Sequence, residues 1–96
     1  MSHKPYLSLG DAIKAFLDKH GLKEEVDIQS IIRDWESLMG APIAQNTEKM
    51  WFNKGIMYIR MSSPIWKNEL HLARTKIKEM INKRVGQDLV QDVRIL

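Results

Sequence analysis

The residue types able to do chemistry are few in this chain and mostly scattered. It has 96 residues with three histidines, His3, His20 and His71, and no cysteine. No two histidines stand one helical turn apart, and no carboxylate is spaced to complete a ligand triad, so no bound metal is expected. Without thiols there is no disulfide scaffold, iron–sulfur cluster or thiolate zinc site, which fits a reducing compartment. Glu24, Glu25 and Asp27 form an acidic cluster. At the start of a helix they complement the macrodipole, which accounts for them better than an acid–base dyad does. A nucleophile elbow, a phosphate loop and a dinucleotide fingerprint are all missing. The expectation is a protein that is not an enzyme, takes no cofactor and has no small-molecule substrate.

The basic residues do have a pattern. Residues 1–48 hold five basic and eight acidic side chains, whereas residues 49–96 hold ten basic and four acidic. Such asymmetry suits a face that meets polyanion, because Lys and Arg release condensed counterions from phosphate. The alternative is that long basic side chains merely solvate one surface. The sharpest signal lies in the longest helical stretch. At about 100° per residue, Lys67, His71, Arg74 and Lys78 fall within a band of roughly 60°, beside the apolar Trp66, Leu70, Ala73 and Ile77. A row of like charges costs a few tenths of a kcal/mol per neighbouring pair, which favours a partner that neutralises it. Lys54 at a loop tip and Arg60 on a strand extend the candidate nucleic-acid-binding set, with Lys49 nearby. Trp51 and Tyr58 sit in the same hairpin, where sheet-edge packing competes with stacking of single-stranded bases, worth roughly 1–3 kcal/mol per base. Ser62 and Ser63 precede a helix whose free N–H groups could hold a phosphate, but capping explains both.

The elements that must position these residues follow from periodicity. Ser8 caps a first helix over Leu9 to His20, with Leu9, Ile13, Phe16 and Leu17 on one face and Gly21 as its stop. Val26, Ile28, Ile31, Ile32, Trp35, Leu38 and Met39 make the stripe of a second helix that ends near Met39, before Gly40. Thr47–Phe52 and Ile56–Met61 read as a hairpin joined across Asn53-Lys54-Gly55. Ser63 and Pro64 open a third helix that reaches roughly Arg84, Gly86 stops it, and Val90–Leu96 is a last strand. The order is ααββαβ. A strand, a helix and a further strand after the hairpin make the last strand parallel to its predecessor. The expected fold is one small α+β domain, a short leader at residues 1–7 and the domain at 8–96, with a three-stranded mixed sheet covered by helices mainly on one face. No apolar run is long enough to span a membrane or form a signal core, so no membrane contact and a cytoplasmic location are expected.

Several of these residues together resemble the DciA-like family of bacterial replicative-helicase operators. They are Trp35 and Gly40 in the pattern W-x-x-x-x-G, then Pro42-Ile43-Ala44, the Gly55 hairpin, the run S-S-P-I-W-K-N-E-L from Ser62 to Leu70 containing Trp66, and Ile81-Asn82 with Gly86. The likeness covers about residues 8–96. It implies a KH-like fold, association with the replicative DNA helicase, and binding of DNA in single-stranded or branched form. The G-x-x-G loop with which KH domains clamp a backbone is lacking, so that clamp does not carry over and RNA is disfavoured. On residue types, Trp35, Trp66 and Leu70 are core anchors, while Gly40 and Gly86 are helix stops. The competing expectation is a protein-interaction adaptor that binds no nucleic acid and uses an uncovered sheet face, with Met57, Met61, Trp51 or Tyr58 as contacts.

Overall fold

The computed structural model describes residues 8–96; the leader expected at residues 1–7 lies outside them. The hairpin strands β1 (Thr47–Asn53) and β2 (Ile56–Met61) are antiparallel, and β3 (Asp92–Ile95) runs parallel to β2, giving the order β1-β2-β3. The hairpin closes over two residues. Lys54 at φ 49° and Gly55 at φ 81° both take positive φ, the requirement of a type I′ turn. This sets Asn53 opposite Ile56 and Trp51 opposite Tyr58. The ladder runs on past β3, where the Leu96 N–H donates to the Ile59 carbonyl and the Met61 N–H to the Leu96 carbonyl.

Among the described residues six helices accompany this sheet: α1 (Leu9–Lys19), α2 (Lys23–Arg33), α3 (Trp35–Met39), α4 (Ala41–Gln45), α5 (Pro64–Leu72) and α6 (Arg74–Val85). The caps are those the sequence announces. Ser8 Oγ accepts from the Asp11 N–H at 3.0 Å, Ser63 Oγ accepts from the Trp66 N–H at 3.4 Å, and Gly86 ends α6 in the left-handed conformation. Gly40, at φ 90° and ψ 158°, turns the chain from α3 into α4 in a region that only glycine occupies readily.

Two long helices expected from periodicity are each broken. The second divides at Asp34 and the third at Ala73. At Ala73 the break is accompanied by Arg74 folding back, so that its Nη1 donates to the His71 carbonyl at 2.8 Å. The one-turn α4 has no periodicity to betray it. The first helix also departs from expectation. Its stripe is not core, since Leu9 is 77% and Phe16 55% exposed and α1 rests chiefly on α2.

The core lies between the inner face of the sheet and the helices. Ile28, Ile31 and Trp35 meet Met57, Ile59 and Met61 of β2, Leu70, Ile77 and Ile81 of α5 and α6, and Val90, Val93 and Ile95. Burying each large apolar side chain contributes about 1.5–3 kcal/mol. Trp35 also hydrogen-bonds: its Nε1 donates to Thr47 Oγ1 at 3.1 Å, and that hydroxyl donates to the Ile43 carbonyl at 2.7 Å. Trp66 is half-buried against the same cluster and Leu70 is fully within it. Met57 and Met61, expected as contacts on an uncovered face, are 0% and 7% exposed. Alternation along β2 turns them inward, and the face they vacate holds Ile56, Tyr58 and Arg60.

Candidate nucleic-acid interface

The break at Ala73 divides the basic band expected on one helix. Lys67 and His71 lie on α5, and Arg74 and Lys78 on α6. Lys67, Asn68 and His71 line a groove against Ile95 of the sheet edge, and His71 and Arg74 line its continuation beside Asp92, Arg94 and Leu96. The structure therefore brings Lys67, His71 and Arg74 together along β3, with Arg94 added from the strand. Arg74 lies 3.3 Å from His71 Nε2 through Nη1, so the two basic side chains form one unit.

Lys78 belongs elsewhere. It is half-buried and lines a recess with Glu79, Asn82, Lys83 and the loop from Gly86 to Gln91. Lys54 stands exposed at the hairpin tip, where the Gln91 N–H donates to the Gly55 carbonyl. Arg60 is on the other side of the sheet, opposite Lys49 in register. Among the described residues, none of Lys54, Arg60, Lys67, Arg74 and Lys78 forms an ion pair, whereas Arg94 lies 3.7 Å from Asp92. The remaining ion pairs serve the fold. Asp34 is held by Arg33 at 3.1 Å and by Arg84 of α6 at 2.7 Å, and Lys23 by Asp27 at 2.7 Å. The hydrogen bond from Arg33 first, then the charges of Arg33 and Arg84, hold the Asp34 carboxyl below its ordinary range against the opposing effect of desolvation.

The outer sheet face carries the features that residue types alone left open. Trp51 and Tyr58 stack with ring centroids 5.1 Å apart and planes within 10°. Lys49 Nζ and the Arg60 guanidinium lie 5.1 and 5.4 Å from the Trp51 ring centre. Neither aromatic packs against the core cluster. Arg94 was missed by sequence reasoning because its place depends on β3 being the edge strand. Among the described residues no three histidine or carboxylate side chains gather as a metal site, and no helix is long and apolar enough to cross a membrane.

Fold and surface together define a small α+β domain with cationic surfaces on both sides of a three-stranded sheet. The family described as Dna[CI] antecedent, DciA, matches residues 8–95, and the chain belongs to that family. It is similar to the UPF0232 protein of Corynebacterium glutamicum (strain R), at 26% identity over 88 residues, covering 92% of this chain and 49% of that protein. It is also similar to UPF0232 protein Rv0004 of Mycobacterium tuberculosis (strain ATCC 25618 / H37Rv), at 24% identity over 87 residues, covering 91% of this chain and 46% of that protein. The chain thus spans about half the length of these relatives. No solved structure matches it.

Proposed function

We propose that this chain is a noncatalytic, DNA-associated module of bacterial replication, acting in the cytoplasm in association with the replicative helicase. It meets single-stranded or branched DNA through the cations of α5 and α6, with Lys54 and Arg60 at the margins. Family membership supports the replication context. The observation that carries the DNA contact is the groove beside β3, where Lys67, His71, Arg74 and Arg94 converge, with Asp92 beside Arg94. An anionic backbone laid there would exchange its counterions for fixed cations, so binding weakens steeply as salt rises.

Fluorescence anisotropy with labelled single-stranded and branched DNA at two salt concentrations tests this reading. Wild type is expected to bind with strong salt dependence, and the variant Lys67→Glu/Arg74→Glu/Lys78→Glu to lose binding while keeping its melting temperature. Unchanged binding by that variant would remove α5 and α6 from the interface. A pull-down against the replicative helicase of the source organism tests the second half of the proposal.

A further inference from the structure

We infer that the outer face of the sheet is a base-stacking platform for single-stranded nucleic acid, built from the Trp51–Tyr58 pair with Lys49 and Arg60 as phosphate contacts. The inference rests on the nucleic-acid reading above and adds to it a second surface, on the side of the sheet away from α5 and α6.

Two observations converge on this face. Trp51 and Tyr58 are directly opposite in register and stacked, yet neither joins the core cluster. Lys49 and Arg60 are also directly opposite each other. Like charges so placed destabilise a sheet, and among the described residues no carboxylate pairs with either one. Arg94 stands opposite Tyr58 from the third strand but is already matched by Asp92 at 3.7 Å, which leaves Lys49 and Arg60 as the unmatched cations beside the rings. A strand pairing that tolerates this repulsion is matched in charge by a polyanion, and its aromatic centre is matched by bases.

Magnitudes show how a base would be accommodated. The cations near Trp51 hold it by exposed cation–π contacts worth about 0.5–1 kcal/mol, whereas a base stacked on an aromatic side chain gains about 1–3 kcal/mol. A base therefore displaces Lys49 or Arg60 from the indole. The freed cation stays beside it, within reach of the adjoining phosphate. Stacking accepts any base, so the platform selects unpaired strands and not sequence.

The test uses the full chain and two fluorescent probes of equal length and charge, an oligothymidylate and an abasic deoxyribose-phosphate strand. Valine at Trp51 and Tyr58 preserves strand propensity, and circular dichroism melts verify that the variants fold. Wild type is expected to prefer oligothymidylate over the abasic strand by roughly tenfold or more, and Trp51→Val/Tyr58→Val to abolish that preference. Tryptophan emission of the wild type should fall on adding oligothymidylate, with the fall missing in Trp51→Val. Equal wild-type affinity for both probes, no change in emission on binding, or full oligothymidylate affinity in the double variant overturns the platform. The last result leaves the face to a protein partner. In each of these cases the α5–α6 reading survives, whereas failure of wild type to bind either probe overturns both.

Discussion

Asn82 of α6 holds Val90 by both ends of its carboxamide: Nδ2 donates to the Val90 carbonyl and Oδ1 accepts from the Val90 N–H, each at 2.8 Å. Val90 is 1% exposed, and both of its backbone polar groups take their partner from this one side chain. The clasp fixes where the chain leaves α6 and therefore where β3, with Arg94, meets the sheet.

Asn82→Ala should lower stability by about 2–3 kcal/mol, because it removes two hydrogen bonds and strands a buried N–H and carbonyl. Asn82→Asp should cost less than Asn82→Ala at low pH, where the protonated carboxyl can still donate, and should cost more at neutral pH than at low pH, because the carboxylate has no donor for the Val90 carbonyl. Chemical denaturation at both pH values checks the order.

Trp35 combines burial with one donated hydrogen bond to Thr47. Trp35→Phe should cost about 1–2 kcal/mol through the lost donor, and Trp35→Ala about 3–5 kcal/mol through the cavity. DNA affinity of the folded Trp35→Phe protein should equal that of wild type, measured by anisotropy, since this indole touches no candidate surface.

The ion pair of Asp34 with Arg84 ties the α2–α3 junction to α6 across 50 residues of sequence. Its carboxyl is held below the ordinary value of 3.8. Its stabilising contribution is then fully present above that value and disappears as pH falls through the lower folded-state value. Melting temperatures of wild type and Asp34→Asn should differ modestly at neutral pH and converge on acidification below about pH 4.

Much of this architecture was legible because its signals are local. Ser8, Ser63-Pro64, Gly40 and Gly86 mark helix ends through their own backbone chemistry, and the parallel third strand follows from connectivity. The breaks were not legible. Asp34 and Ala73 are neither glycine nor proline, and what accompanies them is an arginine brought from a distant helix in one case and an arginine side chain folded back in the other. The exposure of the α1 stripe was hidden because periodicity reports amphipathicity and not what covers it. For the candidate surfaces, residue type picked out Lys67, His71 and Arg74, but Arg94 needed the sheet order. Reading Asn53 as loop left the hairpin register open; the two-residue turn at Lys54-Gly55 is what sets Trp51 against Tyr58.

The most direct measurement of whether α5 and α6 meet a polyanion is the slope of log affinity against log salt concentration for single-stranded DNA. Each fixed cation that contacts a phosphate contributes about −0.7 to that slope, so replacing Lys67 and Arg74, the α5 and α6 cations of the groove, by Ala should flatten it by about 1.4. Parallel lines for wild type and variant, with both proteins folded, would contradict the proposed contact.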